Sequence, residues 1–330
     1  MKIRNTPFSV VYLCIVVTRK GCHHEHCTRD CGWVAGNLVG LEADYRCDSV
    51  YRGAYHYCGG CSHGYEALLK QGLRTVAATR YVMPLREGGS LPGLVEANDD
   101  GMYVVKFRGA GQGSGALVAE LVVGELARIC DLPVPELVFI DIDSVLARSE
   151  PDDEVQALII ASAGLNLACD FLPGALPFDA ALVQRVDPML ASAVVWFDAM
   201  MTNIDRTARN TNMLWWHRRL HIIDHGAALY VMHAWDGYED RIATPFAAIR
   251  DHVLLPMANH IEVVDAELSQ RLSATAIATV LDMVPDAWWP LGRRWQAPAQ
   301  ARAALYDYLV RRVAAPRAFV AEVLRARSLI

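Results

Sequence analysis

The sequence predicts an α+β chain in two unequal lobes, a small strand-rich one followed by a larger helical one. From about Leu73 to Pro177, short apolar runs alternate with turn signals. From about Asp179 onward, apolar residues recur mostly at helical spacing. With 330 residues, 53% of them hydrophobic, the chain is long enough for a large core in two lobes. Strands followed by helices leave a cleft between the two layers.

In chain order, a leader comes first. Seven of the nine cysteines lie within the first 61 residues, at 14, 22, 27, 31, 47, 58 and 61, in a segment without strand or helix period beyond its first run. We therefore divide the chain into a Cys/His-rich leader over 1–72, a small lobe over 73–177 and a helical lobe over 178–330. Lys2 and Arg4 before the apolar run from Phe8 to Val17 have the look of a secretory signal. Thr18, Arg19 and Lys20 then follow with no small-x-small cleavage site, and the run is shorter than the roughly 20 residues that span a bilayer. Cys27-x₃-Cys31 and Cys58-x₂-Cys61, with His26 or His63 as substitutes, give one reading of the leader as a zinc site. The 26 residues between the pairs exceed the usual spacing, and Cys22 and Cys47 are left over. The other reading is a tail outside the folded lobes, or sequence upstream of the true translation start.

In the small lobe, "LRTVAATRYVMPL" and "LPGLVEAND" read as strands joined through "REGGS". "NDDG" at 98–101 turns the chain into a third strand, "MYVVKF". Period-2 alternation puts Met102, Val104 and Lys106 on one face, so Lys106 is a charge closing an apolar row. A glycine-rich loop, "RGAGQGSG", leads into the helix "ALVAELVVGELARIC", which the prolines of "DLPVP" end. "ELVFIDID" reads as a strand, and "ALIIASAGLNLACDFLPGA" as strand-like and loop-like pieces.

In the helical lobe, "NMLWW" and "LHIID" form a hairpin turning at His217 to Arg219, a register that brings residue 211 near 224. Asn210 and Asp224 then meet at its open end, with Asp205 one short loop earlier. Two carboxylates so placed repel. A divalent cation with a preference for hard oxygens removes that cost, and Mg²⁺ takes one or two carboxylates together with phosphate oxygens. By spacing alone, turn and cap roles for the same residues fit equally well. His252 and the pair Trp288-Trp289 read as core packing.

The stretch Asn203-Ile204-Asp205-Arg206…Asn210…Ile223-Asp224-His225-Gly226 resembles the HipA-like kinases, and its catalytic segment is similar to that of phosphatidylinositol 4-kinases. "YVVKF" looks like the family's lysine strand and "AELVVGELARICDLPVPE" like its helix ending in Leu-x-Val-Pro, so the resemblance runs from about residue 74 to the C-terminus. It implies a two-lobed protein-kinase-like fold and a Mg-ATP-dependent kinase. In that pattern Asp205 is the catalytic aspartate toward the attacking hydroxyl, and Asn210 and Asp224 are the metal ligands. Lys106 holds the α/β-phosphates, Glu120 pairs with it, and Arg206 braces the loop. Phosphoryl transfer needs this kit because it is mainly positioning and charge neutralisation. Helical spacing alone does not choose between Glu120 and Glu125; aligned from the terminal Val-Pro, the resemblance selects Glu120. By chain order the phosphate loop is Gly88, Gly89 and Ser90, with the glycines after Lys106 as the rival. Backbone groups at Cys169 and Asp170 are expected to line the adenine pocket.

The departures are Asp-Arg in place of the His-Arg-Asp of eukaryotic protein kinases, and His225 after Asp224 where those have Phe. They place the chain nearer the HipA and lipid-kinase branches. The resemblance implies ATP and Mg²⁺ as cofactors and a serine/threonine protein acceptor. A lipid or small-molecule acceptor and an inactive nucleotide-binding regulator are the alternatives, and an antitoxin-like partner is open. A Mg-dependent hydrolase would leave the Lys106 strand unexplained. The net charge of -6, with Lys and Arg scattered, argues against nucleic acid as the main partner and is compatible with a cytoplasmic location.

Overall fold

The small lobe closes on itself. The computed structural model describes residues 72–85, 91–111, 113–233, 235–292 and 294–330. Its strands are β1 (Thr75–Pro84), β2 (Gly93–Ala97), β3 (Met102–Lys106), β4 (Leu137–Ile142) and β5 (Gly164–Asp170). They form a barrel in the order β1-β2-β3-β5-β4, with β4 returning parallel to β1. The leader up to residue 71, including the zinc reading, and the loop carrying Gly88, Gly89 and Ser90 lie outside the described residues.

Alternation sorts the side chains. Val105, Val138, Ile140 and Ala168 fill the barrel. Register pairs Lys106 with Leu167 and Val104 with Cys169, so these four share the outer face. Leu167 belongs to the large core, which directs the Lys106 face toward the helical lobe.

The helix α1 (Ser114–Ile129) lies between β3 and β4 and is buried along nearly its whole length, as expected of a helix apolar on every side. It packs against α6 (Ala274–Asp282) and the turn at Asp286–Trp288. Gly124 permits its approach to β4, since a Cβ there would lie 2.6 Å from Leu137 Cδ1.

One element differs from the sequence reading. The run that reads as strand and loop pieces begins as a helix, α2 (Asp153–Ala161), before β5 starts. Asp152 caps it, accepting from the N–H groups of Glu154 (3.0 Å) and Val155 (3.4 Å), and Asp153 and Glu154 favour its N-terminal dipole. A short apolar run does not by itself separate strand from helix; the cap decides it.

The helical lobe is built on α3 (Pro188–Met200), with Asp187 as its N-cap and Pro188 at its first position. α3 packs against α5 (Ile261–Arg271) and α8 (Ala318–Arg327), with α7 (Pro298–Val313) packed on α6. A short α4 spans Tyr238–Arg241. A second sheet, β6 (Leu176–Pro177), β7 (Met213–Trp216) and β8 (Arg219–Ile222), lies at the lobe junction. Met213 pairs with Ile222, the register read from the sequence. His217 and Arg218 form the turn with φ of 47° and 63°, the left-handed pair that suits a two-residue hairpin. Among the described residues, no helix is long and apolar enough to cross a membrane.

Candidate active site

Three charges from three segments meet at the lobe junction. Lys106 Nζ, at the end of β3, lies 2.6 Å from Asp224 Oδ1 and 3.5 Å from Glu120 Oε1. The other oxygen of Glu120, Oε2, accepts the backbone N–H of His225 at 2.7 Å. Glu120 thus binds the lysine and the segment that carries Asp224 together. The side chains of Lys106 and Glu120 are 17% and 7% exposed, whereas that of Asp224 is 44% exposed and opens to solvent. Asp224 stands at φ 56°, a left-handed conformation that an Asp tolerates better than most residues.

These neighbours set the charge states. Burial alone would lower the Lys106 ammonium, but Asp224 and then Glu120 outweigh it and hold its pKa above the ordinary lysine value. Burial pushes Glu120 up against the opposing pull of Lys106. Lys106 foremost holds Asp224 below the usual carboxylate range.

Glu125, one turn further along α1, is also buried but faces Arg128 at 3.6 Å, and its Oε1 has no hydrogen-bond partner. The structure therefore separates the two glutamates that helical spacing leaves equal.

The loop after α3 presents Asp205. Its Oδ2 accepts from Asn210 Nδ2 at 2.8 Å and from Asn212 Nδ2 at 3.1 Å. A carboxylate only accepts, so both amide nitrogens must face it. Asn210 then turns its carbonyl oxygen away from Asp205, which is the atom a hard cation takes. Among the described residues, no group of three or more His, Cys, Asp or Glu is arranged to hold a metal alone. A carboxylate and a carboxamide oxygen are donor types that suit a hard cation whose other ligands come from phosphate and water.

Arg206 ties the two halves together. It is fully buried, and its Nε donates to Asp198 Oδ2 at 2.6 Å. Its guanidinium also donates to the carbonyls of Asn212 and Ile223, the residues joined at the open end of the hairpin by Ile223 N–H to Asn212 O at 3.0 Å. Another N–H lies 3.4 Å from His225 Nδ1. A guanidinium only donates, so that nitrogen of His225 accepts. Burial, then Arg206, lowers His225 to about 3 and keeps the ring neutral. Asp198 and Arg206 are both 0% exposed; removing either alone strands the other charge, at a cost of about 3–5 kcal/mol.

The sequence-predicted residues thus fall into two groups, Lys106 with Glu120 and Asp224, and Asp205 with Asn210, joined through Arg206 and His225. Asp170, the last residue of β5, pairs with Tyr103. Alternation turns its side chain to the face opposite Lys106. Its N–H donates to Glu136 O at 2.8 Å. Cys169 is on the Lys106 face, and burial pushes its thiol up to about 12. The rival glycine loop is anchored to the end of α2 and to β5, with Gly109 N–H donating to Ser162 Oγ at 3.0 Å and Arg108 N–H to Asn166 Oδ1 at 2.8 Å. Sequence reasoning missed Asn212 and Asp198. The second carried a signal, as a lone charge in the apolar run "ASAVVWFDAMM".

A family model of HipA-like kinases matches residues 79–319. The chain belongs to the HipA-like kinase family. Membership makes it a phosphotransferase of the kinase class on a two-lobed kinase fold. Among solved structures it is similar to the Helicobacter pylori proinflammatory kinase CtkA, with 14% identity and a TM-score of 0.49, covering 77% of this chain and 98% of that one. It is also similar to the Golgi casein kinase with Mn/ADP bound, with 10% identity and a TM-score of 0.47, covering 79% of this chain and 76% of that one. No curated protein matches the chain.

Proposed function

We propose that this HipA-like kinase transfers the γ-phosphoryl group of ATP to a hydroxyl in a Mg²⁺-dependent reaction in the cytoplasm, with a serine or threonine of a protein as acceptor. One observation carries the reading: Lys106, Glu120, Asp205, Asn210 and Asp224, from distant parts of the chain, belong to one polar network. The serine/threonine acceptor follows HipA-type kinases, which act that way.

In this reading Lys106 holds the α/β-phosphates, and Glu120 keeps its ammonium aimed at them. Asp224 and the Asn210 carbonyl hold Mg²⁺, which when bound neutralises phosphate charge. Asp205 Oδ1, which takes no hydrogen bond from a described residue, orients the acceptor hydroxyl and receives its proton. Gly88, Gly89 and Ser90 cover the phosphates, and the backbone at Asp170 meets the base. The leader over residues 1–72 supplies none of these groups.

The test is full-length protein with Mg²⁺ and γ-labelled ATP, followed by identification of the labelled products. Label on serine or threonine supports the reading. Label in a lipid or small-molecule fraction makes the phosphatidylinositol-4-kinase-like alternative the correct one. Nucleotide binding with no transfer makes the chain a regulator.

A further inference from the structure

Behind Asp205 lies a carboxylate that the phosphotransfer kit does not use. Asp198 is fully buried inside α3, and both its oxygens are engaged. Oδ1 accepts from Asn203 Nδ2 at 3.0 Å. Oδ2 accepts from Arg206 Nε at 2.6 Å and meets His252 Nε2 at 2.9 Å. Asn203 in turn accepts the backbone N–H of Asp205 through Oδ1 at 3.1 Å. Two hydrogen bonds therefore separate Asp198 from the backbone of Asp205.

His252 comes from the segment around Ala247–Asp251, far along the chain from the family motif. Its tautomer follows from geometry. Leu254 N–H donates to Nδ1 at 3.0 Å, so Nδ1 carries no proton. In the neutral ring Nε2 then bears the hydrogen and donates it to Asp198. The same segment grips the loop by its backbone, with Thr207 and His252 forming an antiparallel bridge and Val253 N–H donating to Arg206 O at 3.1 Å.

We infer that His252 is a positioning residue for Asp205, its Nε2–H fixing the Asp198 carboxylate that holds Asn203 and Arg206 in place. This rests on the assignment of Asp205 to the acceptor hydroxyl. Rotation of Asp198 shifts both ends of the Asn203–Arg206 loop at once, and small displacements of a reacting group are costly to turnover.

Three variants separate positioning from packing. His252→Gln retains an amide N–H that reaches Asp198. His252→Asn keeps an oxygen where Nδ1 accepts from Leu254 but is too short to donate to Asp198. His252→Phe keeps the bulk and loses both bonds. Initial rates of ADP release from Mg-ATP by full-length protein give kcat and KM. The expected order of kcat is parent, then Gln, with Asn and Phe at least about tenfold below the parent and the KM for ATP unchanged. Asn or Phe at parental kcat, Gln no better than Asn, or KM rising in step with the fall in kcat would overturn the inference. Should Phe not fold, the Gln and Asn pair gives the same decision. Asp205→Asn run alongside tells the two readings apart. If it turns over like the parent, the site assignment fails. If it is impaired while His252→Asn is not, only the positioning role fails.

Discussion

Lys106, Glu120 and Asp224 meet as charges, whereas Asp205 is met by two carboxamides. On the first side Asp224 opens to solvent, and its partner is a long flexible amine. On the second, the loop is backed by Asp198, Arg206, Asn203 and His252, all buried. The difference follows the duties proposed for the two sides. Charges that receive a polyanion must redistribute when it arrives, and an ion pair between flexible side chains does so easily. A group that aims at one hydroxyl gains from fixed geometry, and neutral amides hold a carboxylate without competing for its charge.

The largest expected effect tests the charged side. Asp224→Asn should weaken Mg-ATP binding and abolish turnover, because Lys106 loses its closest counter-charge and the proposed Mg²⁺ site its carboxylate. Calorimetric titration with Mg²⁺ and a non-hydrolysable ATP analogue reads the binding; parental affinity in this variant would break the comparison. Next comes Asp205→Asn. Turnover should fall by roughly 10²–10⁴, the usual contribution of a positioned acid-base group, while the same titration gives nearly parental affinity. A loss of affinity here would mean that the two sides are not separable.

A smaller contrast sharpens the charged side within one helix. Glu120→Gln should lower turnover well below that of Glu125→Gln, since only Glu120 touches Lys106 and the His225 backbone. Steady-state rates of the two variants decide it, and equal values would remove Glu120 from the site.

The smallest effect is on stability and belongs to the neutral side. Burial, against the pull of Asp198, holds the His252 pKa below its ordinary value, while an unfolded histidine titrates near 6.5. Below about pH 6.5 the unfolded chain therefore binds a proton that the folded one refuses, and stability falls as pH falls. The charged groups facing the ring are Asp198 and Arg206. Thermal unfolding midpoints between pH 8 and 5 should decline toward acid, less steeply in His252→Gln. An unchanged slope in that variant would assign the decline to other groups.

Much of the site was legible because it is local in sequence. Asp205, Arg206, Asn210 and Asp224 lie within twenty residues, on a hairpin whose apolar strands and charged turn set its register. Lys106 stood out as a charge ending an apolar row, and alternation alone gave its face. The helix at Asp153–Ala161 was obscured because a short apolar run fits either period, and its Asp152 cap was the overlooked signal.

The sequence by itself determined the strand-rich and helical halves, the hairpin register and the residue types of the site, since periodicity and turn chemistry act over a few residues. Only the tertiary structure decided that β4 returns parallel to β1 to close the barrel, that Glu120 spends one oxygen on Lys106 and the other on the His225 backbone, and that His252 reaches Asp198. Each of these depends on which buried surfaces meet across long stretches of chain. A buried carboxylate such as Asp198 takes its donors from whatever elements pack against it, and no local pattern records which those will be.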